Sequence, residues 1–307
     1  MEKEGILVVK ELSVSFRMYD KGLEQYELEV ISNLNLDLKP GEIVAVAGAS
    51  GSGKSLLAHA VMGLLPGNAT VGGEIRYRGE VLTQKRKEAL RGREIALVPQ
   101  SVAYLDPLMR VGNQVRGNRP DEGRRKAQKE IFRRFQLQER AEKLYPFQLS
   151  GGMARRVLVS TAVISGARVI LADEPTPGLD LEMAVEALKV FRELADEGKA
   201  VILITHDIDL AVHVADRIAV FYAGTTLELM KASDFQEGKA RHPYTRALWE
   251  ALPQNGFRPI PGFQPYAKAL PVGCLFGPRC PRKTKACEAE IPMRKLCGGY
   301  VRCIYGD

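Results

Sequence analysis

The sequence predicts an α/β fold built on a parallel sheet, and three observations carry that reading. Four short, continuous apolar runs, GEIVAVAG (41–48), EIALVPQ (94–100), RVILADE (168–174) and KAVILITHD (199–207), have the pattern of strands buried on both faces. Helical patterns lie between them, as in SLLAHAVMGLL (55–65) and EMAVEALKVFRELADEG (182–198), the second closed by Gly198. Strands that alternate with helices imply a parallel sheet, because each crossover is a helix laid on the sheet.

The remaining segments depart from that pattern in three places. Residues 6–16 and 28–38 alternate apolar and polar positions, which predicts half-buried antiparallel strands in an N-terminal β subdomain. Residues 101–165 are charged and helical in pattern, and read as a helical subdomain inserted in the core. The arginine-rich stretch GRRKAQKEIFRRF (123–135) there is most simply a solvated helix face, with nucleic-acid contact the competing reading. After about residue 235, prolines recur from Pro243 to Pro292, which predicts an irregular, cysteine-containing C-terminal extension. The expected division is residues 1–235 and 236–307, in line with a length prior of ~150 residues per domain.

Of the 307 residues, 45% are hydrophobic and 26% charged, the balance of a soluble globular chain. The net charge of +7 suits nucleotides, nucleic acid or an anionic membrane surface without selecting among them. The charged start, MEKEGILVVKEL, lacks the apolar core of an export signal, and no apolar run approaches the ~20 residues of a spanning helix. If the protein acts at a membrane, other chains are expected to do the spanning.

The chemistry sits at the strand ends. GASGSGKS (48–55) matches G-x-x-x-x-G-K-[ST], follows a buried run and opens a helix. In such a loop the backbone N–H groups of Gly48, Ser50, Gly51, Ser52, Gly53, Ser55 and Leu56 surround phosphates. Lys54 reaches the β/γ oxygens, and Ser55 ligates Mg²⁺. VILADE ends a buried strand in two adjacent acids, an expensive place for charge unless a cation or hydrogen bonds offset it. In nucleoside triphosphatases of this layout Asp173 holds the magnesium shell and Glu174 polarises the attacking water; the plainer reading makes Glu174 a turn cap before Pro175. His206, just past the strand in LITHD, is structural if taken alone and a γ-phosphate contact beside the other motifs. Gln100 stands where the core gives way to the helical insert, so its amide can reach Mg²⁺ or the water while its backbone follows a movable loop.

A second glycine turn, LSGGMARR (149–156), would compete with the lysine loop for the same oxygens if both acted in one subunit. Carried on the insert, it is better placed to reach across to a second molecule. Ser150, Gly151 and Gly152 would then offer a hydroxyl and a helix N-terminus to the γ-phosphate on the partner's loop.

These motifs in this order resemble the ATP-binding-cassette (ABC) ATPases, over residues 6 to about 235: GASGSGKS, the glutamine of LVPQ, LSGGM, VILADEPT, GLD and ITHD. The resemblance implies a P-loop-type core, ATP as ligand, Phe16 as the aromatic on adenine unless it is simply a core residue, and Asp180 in the loop coupling two ATP sites. Met153 replaces the glutamine usual after LSGG, and Pro177 and Gly178 stand where a small polar residue and alanine are common. The tail, with RHPYTRALWEALP (241–253), IPG (260–262), LPVGCLFGPRCPRKTKACEAEIP (270–292) and VRC (301–303), is similar to the C-terminal extension of oligopeptide, dipeptide and nickel import ATPases.

That similarity implies an importer ATPase at the cytoplasmic face of the membrane. Its partners would be two permease subunits, a second cassette chain, by the family pattern a paralogue, and an extracellular binding protein delivering peptides, nickel or a related metal complex. The other reading is a soluble ABC ATPase acting on DNA or ribosomes, suggested by the basic balance. The single cassette and short insert argue against it, and no nucleic-acid partner is expected. All five cysteines lie from Cys274 onward, and their odd number argues against a disulfide framework. Cys274, Cys280, Cys287 and Cys303 are a plausible metal cage, with Cys297 left over. Some relatives hold a four-iron, four-sulfur cluster in such a segment; zinc and no metal are the alternatives.

Overall fold

The two apolar patterns of the sequence become two sheets. The computed structural model describes residues 5–20, 22–117 and 121–305, so the first four residues of the charged start lie outside it. In chain order the strands are β1 (Leu7–Tyr19), β2 (Gln25–Leu38), β3 (Ile43–Ala47), β4 (Ala69–Tyr77), β5 (Glu80–Val81) and β6 (Ile95–Val98). They continue with β7 (Val169–Asp173), β8 (Ala200–Ile204), β9 (Arg217–Tyr222), β10 (Thr225–Lys231), β11 (Arg294–Leu296) and β12 (Gly299–Val301). The helices are α1 (Lys54–Met62), α2 (Gln84–Leu90), α3 (Val111–Arg116), α4 (Glu122–Arg134), α5 (Gly151–Val163), α6 (Leu181–Asp196), α7 (Ile208–Ala211), α8 (Ala232–Gln236) and α9 (Pro243–Glu250).

The alternating segments pair antiparallel in a sheet of order β2-β1-β4-β5. The continuous apolar runs form the parallel centre of the larger sheet, ordered β11-β12-β10-β9-β3-β8-β7-β6. Their double burial is visible residue by residue. Ile43, Ala45, Ile170, Ala172, Val201 and Leu203 enter one core, with α5, α6 and the C-terminal extension. Val44, Val46, Val169, Leu171, Ile202 and Ile204 enter the other, with β1, β2 and α1. Each valine, leucine or isoleucine among them contributes roughly 1.5–3 kcal/mol on burial, so the apolar runs fix both the strands and their place at the centre.

One feature differs from the sequence reading, and a second refines it. The C-terminal extension is not irregular to its end: β12 pairs with β10, Glu228 opposite Val301 and Leu229 opposite Tyr300, so its terminal hairpin becomes the edge of the main sheet. Strands of three residues are too short for a period-2 pattern to register, which is why they escaped. The arginine-rich stretch keeps the expected solvated face, with Arg125, Lys126, Lys129 and Arg133 exposed, while other arginines of the insert are engaged internally. Arg116 donates to Gln128 and Asn113, Arg124 to the Ile164 carbonyl, and Arg134 to Glu193. These three tie helices together behind that face. Among the described residues no helix is long and apolar enough to cross a membrane.

Candidate functional site

The lysine loop lies between the end of β3 and α1, and its backbone shape is forced by contact. Gly48 has φ 155°, and a Cβ there would stand 2.2 Å from the Phe221 carbonyl oxygen, so only glycine fits against the end of β9. α1 opens from Gly53 without a side-chain cap, which leaves its first N–H groups for an anion. Ser52 is fully buried and its Oγ has no hydrogen-bond partner, an orphan donor in the same loop. Lys54 is buried too; its ammonium donates to the Gly48 and Ala49 carbonyls at 2.8 and 3.0 Å. Burial pulls the Lys54 pKa down, and the charges of Glu174 and Asp173 oppose that pull. An uncapped helix end, an orphan hydroxyl and a buried cation are a fitting receptor for phosphate.

The acids come from β7, separated from β3 by β8 in the sheet. The Ser55 hydroxyl donates to Asp173 Oδ1 at 3.0 Å, which puts the two expected magnesium ligands side by side. Burial raises the Asp173 pKa, and the Ser55 hydrogen bond is the largest influence lowering it, so the carboxylate calls for a cation. Glu174 follows with φ 50°, a left-handed conformation for a non-glycine residue before a proline. Its N–H donates to the Ile204 carbonyl at 2.9 Å, and its buried carboxylate meets His206 Nδ1. The strained backbone is what turns this carboxylate from the strand line toward the histidine beyond β8. The turn-cap reading leaves that pairing unexplained.

Gln100 is exposed at the end of the segment after β6. Its backbone is held from a residue the sequence reading passed over: Arg155, buried in α5, donates to the Gln100 carbonyl at 2.5 Å and the Pro99 carbonyl at 3.2 Å. The signal was available, since Arg155 is a charge on the buried face of a helix whose neighbours Ala154 and Leu158 are core. Burial lowers the Arg155 pKa while the Glu174 charge raises it, so this guanidinium also joins the glutamine segment electrostatically to the acids.

The second glycine turn stands apart from this cluster. Ser150 caps α5 by accepting from Met153 N–H at 3.3 Å, Gly151 faces open space, and a Cβ on Gly152 would meet Met183 and Leu179. Asp180 caps α6 and accepts from Met183 N–H at 2.9 Å, so the turn and the Asp180 loop are neighbours. No hydrogen bond joins Ser150, Gly151 or Gly152 to the lysine loop among the described residues. Phe16 is half-buried near the end of β1 and packs on the second core.

The four selected cysteines converge. The Cys274 thiol is pushed up by burial and by Cys280, Cys287 and Cys303, while Cys297 is exposed on the terminal hairpin. Among the described residues, however, no group of three or more potential ligands stands close enough to hold a metal, so the side chains as placed form no closed cage.

Residues 31–177 match the family model described as ABC transporter, and residues 227–287 match the oligopeptide/dipeptide transporter C-terminal region. The chain is 33% identical to the oligopeptide transport ATP-binding protein OppD of Escherichia coli, over 99% of this chain and 94% of that one. It is 34% identical to the dipeptide transport ATP-binding protein DppD of the same species, over 98% and 97%. Among solved structures it is similar to an ATP-binding cassette captured as a dimer in a post-hydrolysis state with ADP and Pi. There the identity is 30% and the TM-score 0.65, over 74% of this chain and 98% of that one.

Proposed function

The chain belongs to the ABC transporter ATPases, in the branch that carries the oligopeptide/dipeptide C-terminal region, and from that premise we propose how its residues drive import. It is the ATP-hydrolysing subunit of an ABC importer, working with membrane permeases as a peripheral protein. The observation that carries the reading is the convergence of Lys54, the Ser55–Asp173 pair and the Glu174–His206 pair around an uncapped helix end with an orphan Ser52 hydroxyl.

In this reading the 48–56 loop and Lys54 hold the β/γ phosphates, and Phe16 lies against the adenine. Ser55, Asp173 and the Gln100 amide would hold Mg²⁺, which neutralises charge on the phosphate oxygens. Glu174 takes the proton of the attacking water, with the His206 ring beside it to share that charge. Ser150, Gly151 and Gly152 close on the ATP of a second cassette, a paralogous chain, and Asp180 links the two sites. The open face of Gly151 supports an action in trans, because nothing in its own subunit fills it.

The transported class is peptides; the names of the relatives favour it over nickel or another metal complex, and an extracellular binding protein would deliver it. Past Gln100 the chain exposes Tyr104, Leu108 and Met109, an apolar patch suited to cover by a permease. For the cysteine segment we propose a loaded four-iron, four-sulfur state over zinc, with the side chains closing around the metal. Brown absorbance after anaerobic purification, abolished by Cys280→Ser, is the expected result; colourless protein with stoichiometric zinc reverses the preference.

The central test is Glu174→Gln. It should lower phosphate release at least ~100-fold, the usual worth of a general base, while ATP-bound cassette dimer accumulates on gel filtration. Undiminished turnover rejects the assignment.

A further inference from the structure

The lysine loop is rich in glycine and has little stiffness of its own, so something outside it must hold its shape. Part of the support is the β9–β10 turn. Gly224 N–H donates to the Ser52 carbonyl at 3.2 Å, and Ser32 N–H donates to the Gly224 carbonyl at 3.0 Å. A Cβ on Gly224 would stand 2.2 Å from the Val30 carbonyl oxygen, so β2 presses this turn against the loop.

The rest comes from the C-terminal extension. Tyr244 of α9 is only 2% exposed, and its hydroxyl lies beside the Ala49 backbone N–H. Its ring packs on Tyr222 at 4.6 Å and on Phe276 at 5.3 Å between centroids. Tyr222 is the last residue of β9, immediately before the turn that grips Ser52. Behind it, Arg279 donates to the Tyr222 hydroxyl at 3.2 Å and is itself fixed by the carbonyls of Pro261 (2.7 Å) and Ile260 (3.1 Å). A continuous line of contacts therefore runs from the cysteine-bearing segment to the phosphate loop.

We infer that Tyr244, backed by Tyr222 and Arg279, is a positioning residue for nucleotide binding: the C-terminal extension holds the Ala49 peptide and so keeps the loop's N–H groups aimed at phosphate. Lys54 holds the same stretch through the Gly48 and Ala49 carbonyls, but an ammonium recruited by phosphate gives up those contacts. Tyr244, anchored against Tyr222 and Phe276, would keep its place throughout. The inference rests on the ATP site proposed above.

The test compares full-length wild type, Lys54→Ala, Tyr244→Phe and Arg279→Gln by titration with a fluorescent ATP analogue in Mg²⁺, together with thermal midpoints and the steady-state KM and kcat of the reconstituted transporter. Tyr244→Phe removes one hydroxyl and keeps the ring. It should weaken nucleotide binding about threefold, the low end of what a neutral hydrogen bond is worth, and raise KM with kcat and the thermal midpoint little changed. Arg279→Gln should shift affinity in the same direction by a smaller factor, and it carries the test if Tyr244→Phe does not fold. Unchanged affinity in both variants, with Lys54→Ala still defective, overturns the inference and leaves the site standing. A Lys54→Ala protein that binds as tightly as wild type overturns the site reading itself. A lowered thermal midpoint with unaltered KM makes Tyr244 a packing residue and also overturns the inference.

Discussion

Glu174 and His242 show how one side chain can carry a consequence its neighbours do not share. Glu174 holds a left-handed backbone that costs of order 1–3 kcal/mol, and the return for that strain is its approach to His206. His242 is fully buried at the start of α9. Its Nδ1 accepts from Tyr244 N–H at 3.0 Å, and its Nε2 has no partner. Burial lowers its pKa to about 3, well below the unfolded value of ~6.5. The folded state therefore refuses a proton that the unfolded state accepts, and stability present above pH ~6.5 is lost as the pH falls toward 3. Glu228, which accepts from Arg241 and His242 N–H, has its pKa raised by burial and acts with the opposite sign, its stabilisation fading as the pH rises through its folded value. Comparison with His242→Asn, whose amide oxygen can replace Nδ1 as the cap, isolates the histidine. Between pH 7 and 5 wild type should lose about 2 kcal/mol more than the variant in chemical denaturation, and parallel curves would disprove the assignment.

At the scale of elements, the lesson lies in α5. Its N-terminus is the LSGG turn, read from sequence as a loop aimed at another molecule, and Gly151 there faces open space. Its buried face carries Arg155 to the Gln100 carbonyl, so one helix joins the glutamine segment to the serine-glycine turn. A movement of the Gln100 segment cannot leave α5 indifferent, because separating them strands a buried guanidinium, an outcome that costs several kcal/mol. The same helix shows what periodicity leaves unsaid about the arginine-rich insert. Periodicity shows which residues share a helix face, while hydrogen-bond partners come from other elements. Arg156, next along α5, ends on the Phe135 carbonyl and not in solvent.

For the molecule as a whole, the extension and the cassette share one core. Tyr244 and Phe276 belong to the same apolar cluster as β3, β8 and α6, and the expected boundary at residue 235 falls inside α8. A chain ending at residue 235 would lose both aromatics, the β12 edge and the N–H groups that compensate buried Glu228. Each lost aromatic costs about 3–5 kcal/mol. The truncated chain should therefore be insoluble or melt at least ~10 °C lower, whereas the full chain should unfold in one transition by both calorimetry and circular dichroism. A soluble truncated chain with the wild-type midpoint would show two independent units instead.

The sequence by itself located the candidate site. Phosphate loop, acidic strand end, histidine and serine-glycine turn are contiguous runs, because a helix N-terminus or a strand end needs its residues next to one another, and strands buried on both faces announce themselves by continuous apolarity. Only the tertiary structure decided which distant residues hold that chemistry in place. Arg155 on Gln100, Gly224 on Ser52 and Tyr244 at Ala49 join positions roughly 55 to 195 apart in the chain. Contacts of that separation follow from how the sheets stack and leave no periodic trace in either partner's local sequence, so they become legible only once the chain has folded.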